Sequence, residues 1–223
     1  LSGGIDSALT VAVASDALGS ERVRSIMMPS PYTSSASLED AQQCAERLGI
    51  TYEVVPIEPA MWAFGTMLES LFADTDQDVT EENIQSRVRG LLLMALSNKF
   101  GLMLLTTGNK SEMATGYATL YGDMCGGYSV LKDVYKTTVF ELAKWRNANI
   151  PIGSRCERSH VIPERIITKP PSAELRPDQK DTDSLPDYEQ LDGILECLIE
   201  QDLSVGATTR RGFNKGAVEQ VAR

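Results

Sequence analysis

The residues best suited to chemistry stand in a glycine-containing turn at the start of the sequence, Leu1-Ser2-Gly3-Gly4-Ile5-Asp6-Ser7. Gly3 and Gly4 let the backbone approach a phosphate closely, and the N–H groups and dipole of the helix that follows favour an anion. The hydroxyls of Ser2 and Ser7 add hydrogen-bond donors. Because the Asp6 carboxylate would repel a phosphate unless a divalent cation lay between them, the turn predicts a nucleotide pyrophosphate bound with Mg²⁺.

Three other kinds of glycine-containing turn could give a similar sequence. No Gly-Lys-Ser/Thr follows the glycines, which excludes a Walker A loop, and the spacing is not that of a dinucleotide fingerprint. The simpler alternative is an ordinary helix start in which Ser2 or Asp6 is the capping residue.

A second polar turn, Thr106-Thr107-Gly108-Asn109-Lys110-Ser111-Glu112, follows a predicted strand at residues 102–106. Ligands of open α/β sheets bind at the carboxyl ends of the strands. Glu112 is therefore predicted to join Asp6 at one Mg²⁺, and Thr107 to meet the nucleotide. Taken alone, the segment is better explained as a polar turn before a capped helix, and the opening motif is what favours the ligand site.

The remaining candidates are a lysine and a segment rich in ligand-binding groups. Lys136 precedes a helix and is the cation expected to stabilise phosphate charge in a transition state. Residues 117–123, Tyr-Ala-Thr-Leu-Tyr-Gly-Asp, can stack on a ligand or bind it through hydrogen bonds. The sole histidine, His160, is interpreted as a loop residue, so chemistry must depend on carboxylates, lysine, hydroxyls and metal.

Alternating strands and helices are expected to position these groups, which predicts an α/β fold with a parallel sheet and helices on both faces. The first helix has an apolar face at Ile5, Leu9, Ala12 and Val13 and ends at Gly19. Strands are predicted at 23–28 and 51–56, and a helix between them is opened by a capping box at 37–40 and ended by Gly49. A further helix is predicted at 57–73. Thr80 is then predicted to cap a long helix with the apolar stripe Ile84, Val88, Leu91, Leu92 and Ala95. A strand should precede the glycine turn, so we expect the chain to be a fragment that lacks the first strand.

Composition narrows the class of protein. The 223 residues suit one α/β domain, and 42% hydrophobic and 23% charged residues are ordinary for a globular protein. A net charge of −10 disfavours nucleic-acid binding. No membrane span or signal peptide is visible, so a cytoplasmic location is expected. The cysteines at 44, 125, 156 and 197 are too scattered for a zinc pattern and are expected to stay as thiols.

The opening motif resembles the SGGxDS signature of the ATP pyrophosphatases, and four further blocks resemble NAD synthetases in particular. These blocks are Glu82 to Arg87 (ENIQSR), Thr106 to Glu112 (TTGNKSE), Tyr121 to Thr137 (YGDMCGGYSVLKDVYKT) and Lys169 to Pro186 (KPPSAELRPDQKDTDSLP). The resemblance implies an adenine nucleotide alpha hydrolase-like fold. It also implies the glutamine-dependent class, with a nitrilase-like glutaminase domain upstream, a basic segment beyond Arg223 and a homodimer.

The resemblance also implies roles for matching residues. The pyrophosphate of ATP would be cradled by Ser2, Gly3, Gly4, Asp6 and Ser7. The backbone at Met28 would face adenine, Thr107, Lys136 and Ser172 would complete the nucleotide contacts, and Asp6 and Glu112 would hold Mg²⁺. The acid dinucleotide would be bound by Asn83, Arg87, Glu112, Tyr117, Leu120 and Asp123. From composition alone, Arg87 is more simply a solvated helix charge.

The activity implied by the resemblance is ATP-dependent adenylation of the nicotinate carboxylate of nicotinic acid adenine dinucleotide, followed by amidation with ammonia. Residues 168–186, which we call the proline-rich loop, cannot form one regular element. They are predicted to be a lid that shields the adenylate from water, with a flexible connector as the alternative. Alternative functions are another adenylating amidotransferase, such as a GMP or asparagine synthetase, and a nucleotide-binding relative without turnover.

Overall fold

The computed structural model describes residues 1–222, in which short strands alternate with helices. The α-helices in this range are α1 Ile5–Leu18, α2 Ser35–Leu48, α3 Glu58–Leu68, α4 Val79–Phe100, α5 Lys110–Thr115, α6 Lys136–Ala148, α7 Glu164–Thr168, α8 Tyr188–Leu195, α9 Val205–Arg210 and α10 Lys215–Val221. The strands are β1 Arg24–Met27, β2 Thr51–Val54, β3 Leu105–Thr106 and β4 Tyr128–Ser129. Across residues 1–222 no helix is long and apolar enough to cross a membrane.

The strands pair in parallel, as the alternating pattern predicts. β1 lies beside β2 with Arg24 opposite Thr51, and β3 lies beside β4 with Leu105 opposite Tyr128. Among the described residues these pairs form two sheets of two strands each rather than one continuous sheet. The predicted strand at 102–106 is shorter than expected, and β4 was not predicted because two residues after a pair of glycines carry no periodic pattern.

The hydrophobic core lies where α1 packs against α2, α6 and α7. Its most deeply buried residues include Ala8, Leu9, Ala12, Cys44, Leu48, Val139, Ala143, Ile162 and Ile166. The predicted apolar face of α1 is buried except for Val13, which is 39% exposed because it lies at the edge of the stripe. All four cysteines are free thiols, as expected.

A buried ion pair joins the C-terminal ends of α1 and α6. The Arg146 guanidinium donates to Asp16 through Nε at 2.7 Å and through Nη2 at 2.8 Å, and the Arg146 side chain is 3% exposed. Asp16 also accepts from the Ser154 hydroxyl at 2.7 Å. The two helices are therefore held together at this end by hydrogen-bonded charges as well as by apolar contacts.

Two predicted helix starts are wrong by a few residues. α2 begins at Ser35, because the Ser34 hydroxyl accepts from the Ser37 N–H at 3.1 Å and takes the capping position. α4 is capped by Asp78 rather than Thr80, since the Asp78 carboxylate accepts from the Thr80 N–H at 2.7 Å. The predicted glycine ends are correct for Gly19 (φ 91°) and Gly49 (φ 69°), which both adopt positive φ.

The apolar stripe of α4 is largely uncovered. Of its predicted members only Val88 is fully buried, and Leu91 is 65% exposed. α3, which ends at Leu68 rather than at residue 73, presents the exposed Trp62 beside it. We call this the α3/α4 surface; its exposed apolar residues are Trp62, Met67, Leu71, Leu91, Met94 and Phe100.

The helix that begins at Tyr188 returns the chain to the core, and its sequence spacing predicts that Leu191, Ile194, Leu195 and Leu198 face inward. Leu191, Ile194 and Leu195 are buried, but Leu198 is only partly buried. The helix continues into a π-helical turn at Glu196–Glu200. Because that wider turn shifts the register, Cys197 faces inward where Leu198 was expected.

Candidate active site

Three charged side chains that are distant in sequence meet at the N-terminal ends of three helices. The Lys136 ammonium on α6 donates to Asp6 Oδ2 on α1 at 2.6 Å and to Glu112 Oε1 on α5 at 2.9 Å. The Lys136 side chain is 2% exposed. The sequence predicted that these three residues act together, and the structure brings them into direct contact. We call this group the lysine–carboxylate cluster.

Asn109 fixes the geometry of the cluster and was not predicted as a site residue. Its Oδ1 accepts from the Glu112 N–H at 3.0 Å, which caps α5, and its Nδ2 donates to Asp6 Oδ1 at 2.8 Å. The Glu112 carboxylate in turn accepts from the Asn109 N–H at 3.4 Å. Asn three residues before Glu is a capping-box pattern, so this signal was present in the sequence.

Burial and charge shift the titration of the cluster. Burial, together with the nearby Asp6 charge, raises the pKa of Glu112 to about 7, against the opposing effect of Lys136. Burial by itself lowers the pKa of Lys136, but the two carboxylates outweigh it and raise the pKa above its usual range. Lys136 therefore remains a cation at neutral pH, in a site where charge is poorly screened.

Gly3 in the glycine turn occupies a conformation and a space that only glycine fits. Gly3 has φ 81°, and a Cβ there would lie 2.4 Å from the Ser37 carbonyl oxygen. The hydroxyls of Ser2 and Ser7 lie 3.0 Å apart, and Ser7 donates to the Gly4 carbonyl at 3.1 Å. The N-cap residue of α1 is Gly4, and no side chain caps the helix, so the simple interpretation of Ser2 or Asp6 as a capping residue is wrong.

The other residues expected at the nucleotide lie at the edges of this region. Thr107 follows β3 directly, and Met28 follows β1, where the Met28 carbonyl accepts from Arg89 Nε at 3.0 Å. Ser172 is exposed in the proline-rich loop, and its hydroxyl donates to the Gln179 carbonyl at 2.6 Å. In the part of the chain that the structure describes, Ser172 is thus engaged within its own loop and not with the cluster.

The residues expected to bind the acid dinucleotide come together between α4 and residues 117–123. Asn83 Oδ1 accepts from the Thr119 hydroxyl at 2.8 Å, and Arg87 Nε donates to the Leu120 carbonyl at 3.2 Å. Asp123 Oδ1 accepts from the Thr119 N–H at 2.8 Å. Sequence reasoning missed Thr119, whose two hydrogen bonds connect Asn83 with Asp123.

Gly122 allows this segment to lie directly against α4. A Cβ at Gly122 would lie 2.3 Å from the Ser86 hydroxyl oxygen. That hydroxyl accepts from the Asp123 N–H at 3.0 Å. The close approach therefore needs glycine for space, and Ser86 is a second residue that the sequence did not identify.

Two further residues that the sequence did not identify lie next to the lysine–carboxylate cluster. The Lys136 ammonium lies 5.1 Å from the centre of the Tyr188 ring, within the range of a cation–π contact. Asp192 accepts from the Ser111 hydroxyl at 2.5 Å and from the Thr137 N–H at 2.8 Å, and so satisfies the start of α6. Neither residue forms part of a short sequence pattern that would reveal these contacts.

The proline-rich loop folds back onto the helices around the site. The Glu174 carboxylate accepts from the hydroxyls of Ser34 at 2.8 Å and Ser37 at 2.7 Å, at the start of α2. Gln85 on α4 donates to the Leu175 carbonyl at 2.8 Å. Residues 169–180 contain no helix or strand, as the prolines predict.

Parallel strands separated by helices, with a glycine turn and a buried lysine–carboxylate cluster at the helix starts, define an α/β protein of the adenine nucleotide alpha hydrolase-like fold. The NAD synthase family model matches residues 1–223, and the chain belongs to the NAD synthase family. The resemblance drawn from the sequence motifs is thereby confirmed, and the relatives do not favour a GMP or asparagine synthetase.

Similar proteins include glutamine-dependent NAD(+) synthetases. The chain is 56% identical over 223 residues to that of Acinetobacter baylyi, covering 100% of this chain and 40% of the relative. It is 51% identical over 221 residues to that of Thermotoga maritima, covering 99% of this chain and 37% of the relative. The chain thus spans about two fifths of the length of the curated relatives it matches.

Solved structures agree with the fold. The glutamine-dependent NAD+ synthetase of Acinetobacter baumannii in complex with ADP is 51% identical with a TM-score of 0.71, covering 100% of this chain and 38% of that one. The NH3-dependent NAD synthetase of Campylobacter jejuni is 26% identical with a TM-score of 0.76, covering 100% of this chain and 80% of that one. NMN synthetase of Francisella tularensis is 27% identical with a TM-score of 0.77, covering 99% of this chain and 79% of that one.

Proposed function

We propose that residues 1–223 form the synthetase domain of a glutamine-dependent NAD synthetase. The domain transfers AMP from ATP to the nicotinate carboxylate of nicotinic acid adenine dinucleotide and then amidates the product with ammonia, giving NAD⁺, AMP and pyrophosphate. The observation that carries this proposal is the buried Lys136 ammonium between Asp6 and Glu112, beside the glycine turn. Membership of the NAD synthase family supports the same reaction.

In the first step the glycine turn holds the pyrophosphate part of ATP. The nicotinate carboxylate attacks the α-phosphorus, and the bond to the pyrophosphate oxygen breaks. Lys136 stabilises the charge that develops there, at little reorganisation cost because the carboxylates already fix it. The ATP contacts we propose come from Ser2, Gly3, Gly4, Asp6, Ser7, Met28, Thr107, Lys136 and Ser172. The A. baumannii relative in complex with ADP supports adenine-nucleotide binding.

Asp6 and Glu112 are the residues that would hold Mg²⁺. Both carboxylates contact the Lys136 ammonium and so lie close together, and carboxylate oxygens are ligands that Mg²⁺ prefers. Within residues 1–222 there is no group of three or more His, Cys, Asp or Glu side chains placed to hold a metal. A two-carboxylate site would therefore take its other ligands from phosphate and water, as is usual for Mg²⁺. When bound, the ion would neutralise phosphate charge.

The acid dinucleotide is proposed to bind between α4 and residues 117–123. The six residues assigned to it are Asn83, Arg87, Glu112, Tyr117, Leu120 and Asp123. Contacts through Thr119 and the Leu120 carbonyl bring together Asn83, Arg87, Leu120 and Asp123, which supports a common site for these four. Arg87 supplies the positive charge and Tyr117 an aromatic ring for stacking.

In the second step ammonia attacks the adenylated carbonyl, and AMP leaves. No protein nucleophile takes part in this step. The side chain of His160, the one histidine of the sequence, is exposed, and its backbone N–H donates to the Asn147 carbonyl at 3.1 Å. The proline-rich loop serves as the lid that excludes water from the adenylate. Its contacts with α2 and α4 support a closed position over the helix starts.

The full protein is proposed to contain a glutaminase domain that supplies ammonia, since each curated relative described above is glutamine-dependent and much longer than this chain. We propose a homodimer, because the α3/α4 surface exposes large apolar side chains. A cytoplasmic location is proposed because its reducing conditions would keep the four cysteines as thiols.

The proposal is tested by product analysis with the purified full-length protein. Nicotinic acid adenine dinucleotide, ATP, Mg²⁺ and either ammonium or glutamine should give equal amounts of NAD⁺, AMP and pyrophosphate. Nicotinic acid mononucleotide, xanthosine monophosphate and aspartate serve as competing acceptors for the related ligase reactions.

Release of pyrophosphate should depend on the acid dinucleotide. Faster turnover of the mononucleotide would instead assign an NMN synthetase, and turnover of xanthosine monophosphate or aspartate would assign a GMP or asparagine synthetase. ATP binding without release of AMP in any mixture would support the relative without turnover.

A further inference from the structure

One carboxylate of the proline-rich loop contacts two tyrosines beside the proposed catalytic centre. Asp181 is 5% exposed, although it lies in a loop whose neighbouring residues are mostly exposed. Its Oδ2 accepts from the Tyr188 hydroxyl at 2.7 Å, and its Oδ1 accepts from the Tyr117 hydroxyl at 3.3 Å. Each carboxylate oxygen thus has its own tyrosine donor.

The two tyrosines lead to the two halves of the proposed site. The Tyr188 ring lies over the Lys136 ammonium at 5.1 Å, and Tyr117 belongs to the segment assigned to the acid dinucleotide. Burial and the Asp181 charge raise the pKa of both tyrosines, so both remain hydrogen-bond donors. Through the two tyrosines, Asp181 therefore connects the lysine–carboxylate cluster with the segment proposed to bind the acid dinucleotide.

We propose that Asp181 is a positioning residue, which fixes the Tyr188 ring over Lys136 and the Tyr117 ring at the dinucleotide when the proline-rich loop is closed. The inference deepens the proposed function and rests on it. The ring of Tyr188 limits where the ammonium can move, because the two carboxylates hold Lys136 on one side and the ring lies on another. Closing the loop thereby aligns the cation that stabilises the transition state.

Asn at this position is a weaker partner than Asp. A carboxylate accepts from both tyrosines with different oxygens, whereas beside an amide one tyrosine hydroxyl must turn and accept from the NH₂ group, and neither hydrogen bond is then charge-assisted. Asp181→Asn should therefore hold the rings less firmly, although volume and packing are conserved. The loss of a charge-assisted hydrogen bond predicts a fall in kcat of about tenfold, with little change in the KM for ATP.

A variant cycle tests whether Asp181 acts through Tyr188. In the full-length protein Tyr188→Phe keeps the ring and removes only the hydrogen bond, so it should also lower kcat. The double variant with Asp181→Asn should be no slower than Asp181→Asn alone. If the fold losses in kcat of the two single variants multiplied in the double variant, the inference would be overturned. A rise in the KM for ATP with unchanged kcat would also overturn it.

Tyr135→Phe is the matched control. The Tyr135 ring lies 5.0 Å from the Lys110 ammonium, and its hydroxyl donates to Glu200 at 3.2 Å, so the same arrangement recurs outside the lysine–carboxylate cluster. This variant should retain the wild-type kcat. An equal loss in Tyr135→Phe would mean that removing any such hydroxyl lowers turnover, and the inference would be rejected.

Limited trypsin digestion gives a readout that needs no turnover. Lys169 and Arg176 are each followed by proline, so Lys180 is the trypsin site within the proline-rich loop. Tyr188→Phe should speed cleavage after Lys180 by about threefold, because the closed loop loses one fixed contact. An unchanged rate overturns this inference, whereas a wild-type protein that releases no pyrophosphate overturns the proposed function instead.

Discussion

At the scale of single residues, the account depends on how a lysine is buried. Removing an ammonium from water is costly, and attraction to one carboxylate seldom repays the cost in full. Lys136 has two carboxylate partners, and Asn109 holds Asp6 in place with a further hydrogen bond of 2.8 Å. When Glu112 is ionised, the cluster carries one net negative charge in the absence of ligand, which suits the binding of a divalent cation with a phosphate.

The raised pKa of Glu112 predicts a specific pH dependence of stability. With a pKa of about 7 in the folded state against 4.5 ordinarily, Glu112 binds a proton in the folded chain at pH values where the unfolded chain has lost it. Glu112 therefore lowers the free energy of unfolding as pH rises from about 4.5 to 7. Relative to wild type, Glu112→Gln should gain on the order of 3 kcal/mol between pH 5 and pH 8.

Urea unfolding of both proteins at the two pH values measures this difference. The exposed Glu189→Gln on α8 is the control for the substitution itself. A constant difference between Glu112→Gln and wild type would show that Glu112 titrates in the folded protein as it does in the unfolded chain.

Arg87 provides a residue-scale test of the dinucleotide site. Its Nε holds the Leu120 carbonyl, and it lies on α4 away from the glycine turn. Arg87→Ala should raise the KM for nicotinic acid adenine dinucleotide about tenfold and leave the KM for ATP nearly unchanged. Steady-state kinetics of the full-length protein measure both, with the exposed Lys99→Ala on the same helix as the control. Equal weakening of both substrates would remove Arg87 from this site.

Site residues that belong to a short sequence motif could be predicted from the sequence. Site residues that reach the cluster only through contacts between distant segments could not. Asp6 and Glu112 stand in recognisable turns at helix starts, and Asn109 could have been found from its capping-box spacing to Glu112. Tyr188 and Asp181 could not, because the contact of Tyr188 with Lys136 and that of Asp181 with Tyr188 depend on the path of a loop without periodic structure.

At the scale of elements, α1 and α6 are joined at both ends. Asp6 meets Lys136 at the N-terminal ends, and Asp16 meets Arg146 at the C-terminal ends. The partners are ten residues apart on each helix, so the two helices run in the same direction with matched spacing. The second ion pair, which sequence reasoning missed, thereby fixes the alignment of the first.

This arrangement predicts that Asp16→Asn is strongly destabilising. The Arg146 charge would stay buried without its partner, at a cost of about 3–5 kcal/mol. Breaking the exposed pair of Arg24 with Glu53 by Arg24→Gln should cost less than about 1 kcal/mol. Urea unfolding measures both, and a similar small cost for the two variants would mean that the buried pair does not hold the helices in register.

Helix starts show why element boundaries are harder to predict than elements. Ser34 and Asp78 cap helices that were assigned to Ser37 and Thr80, because several capping residues stand close together at each start. The local sequence predicts that a helix begins near each of these positions, whereas the packing of the folded chain determines which residue caps it. β4 has no pattern of its own and exists through its pairing with β3.

At the scale of the whole molecule, the alternation of strands and helices predicts the parallel pairing of the strands. It does not predict which apolar helix faces are buried within the chain. Leu91 of the predicted apolar stripe of α4 is largely exposed, and so is Trp62 on the neighbouring α3. A sequence stripe indicates that a face is apolar without saying whether the same chain or a second one covers it.

The α3/α4 surface therefore predicts the oligomeric state. Trp62→Glu and Leu91→Glu should each raise the dissociation constant of the proposed homodimer about tenfold or more, since two copies of each charge enter one interface. Ile152→Glu, at a fully exposed position outside this surface, should leave the dissociation constant unchanged. Sedimentation velocity of the full-length protein measures the effect. Unchanged association in both surface variants would place the interface elsewhere.

The central claim is that the nicotinate carboxylate receives AMP in this site. It is tested most directly by supplying nicotinic acid adenine dinucleotide whose carboxylate carries a heavy oxygen isotope, with ATP and ammonium, and measuring the products by mass spectrometry. Attack of the carboxylate on the α-phosphorus leaves its oxygen bound there when ammonia displaces AMP. The account predicts one heavy oxygen in AMP and none in pyrophosphate, whereas heavy oxygen in inorganic phosphate, with ADP as the other product, would contradict it.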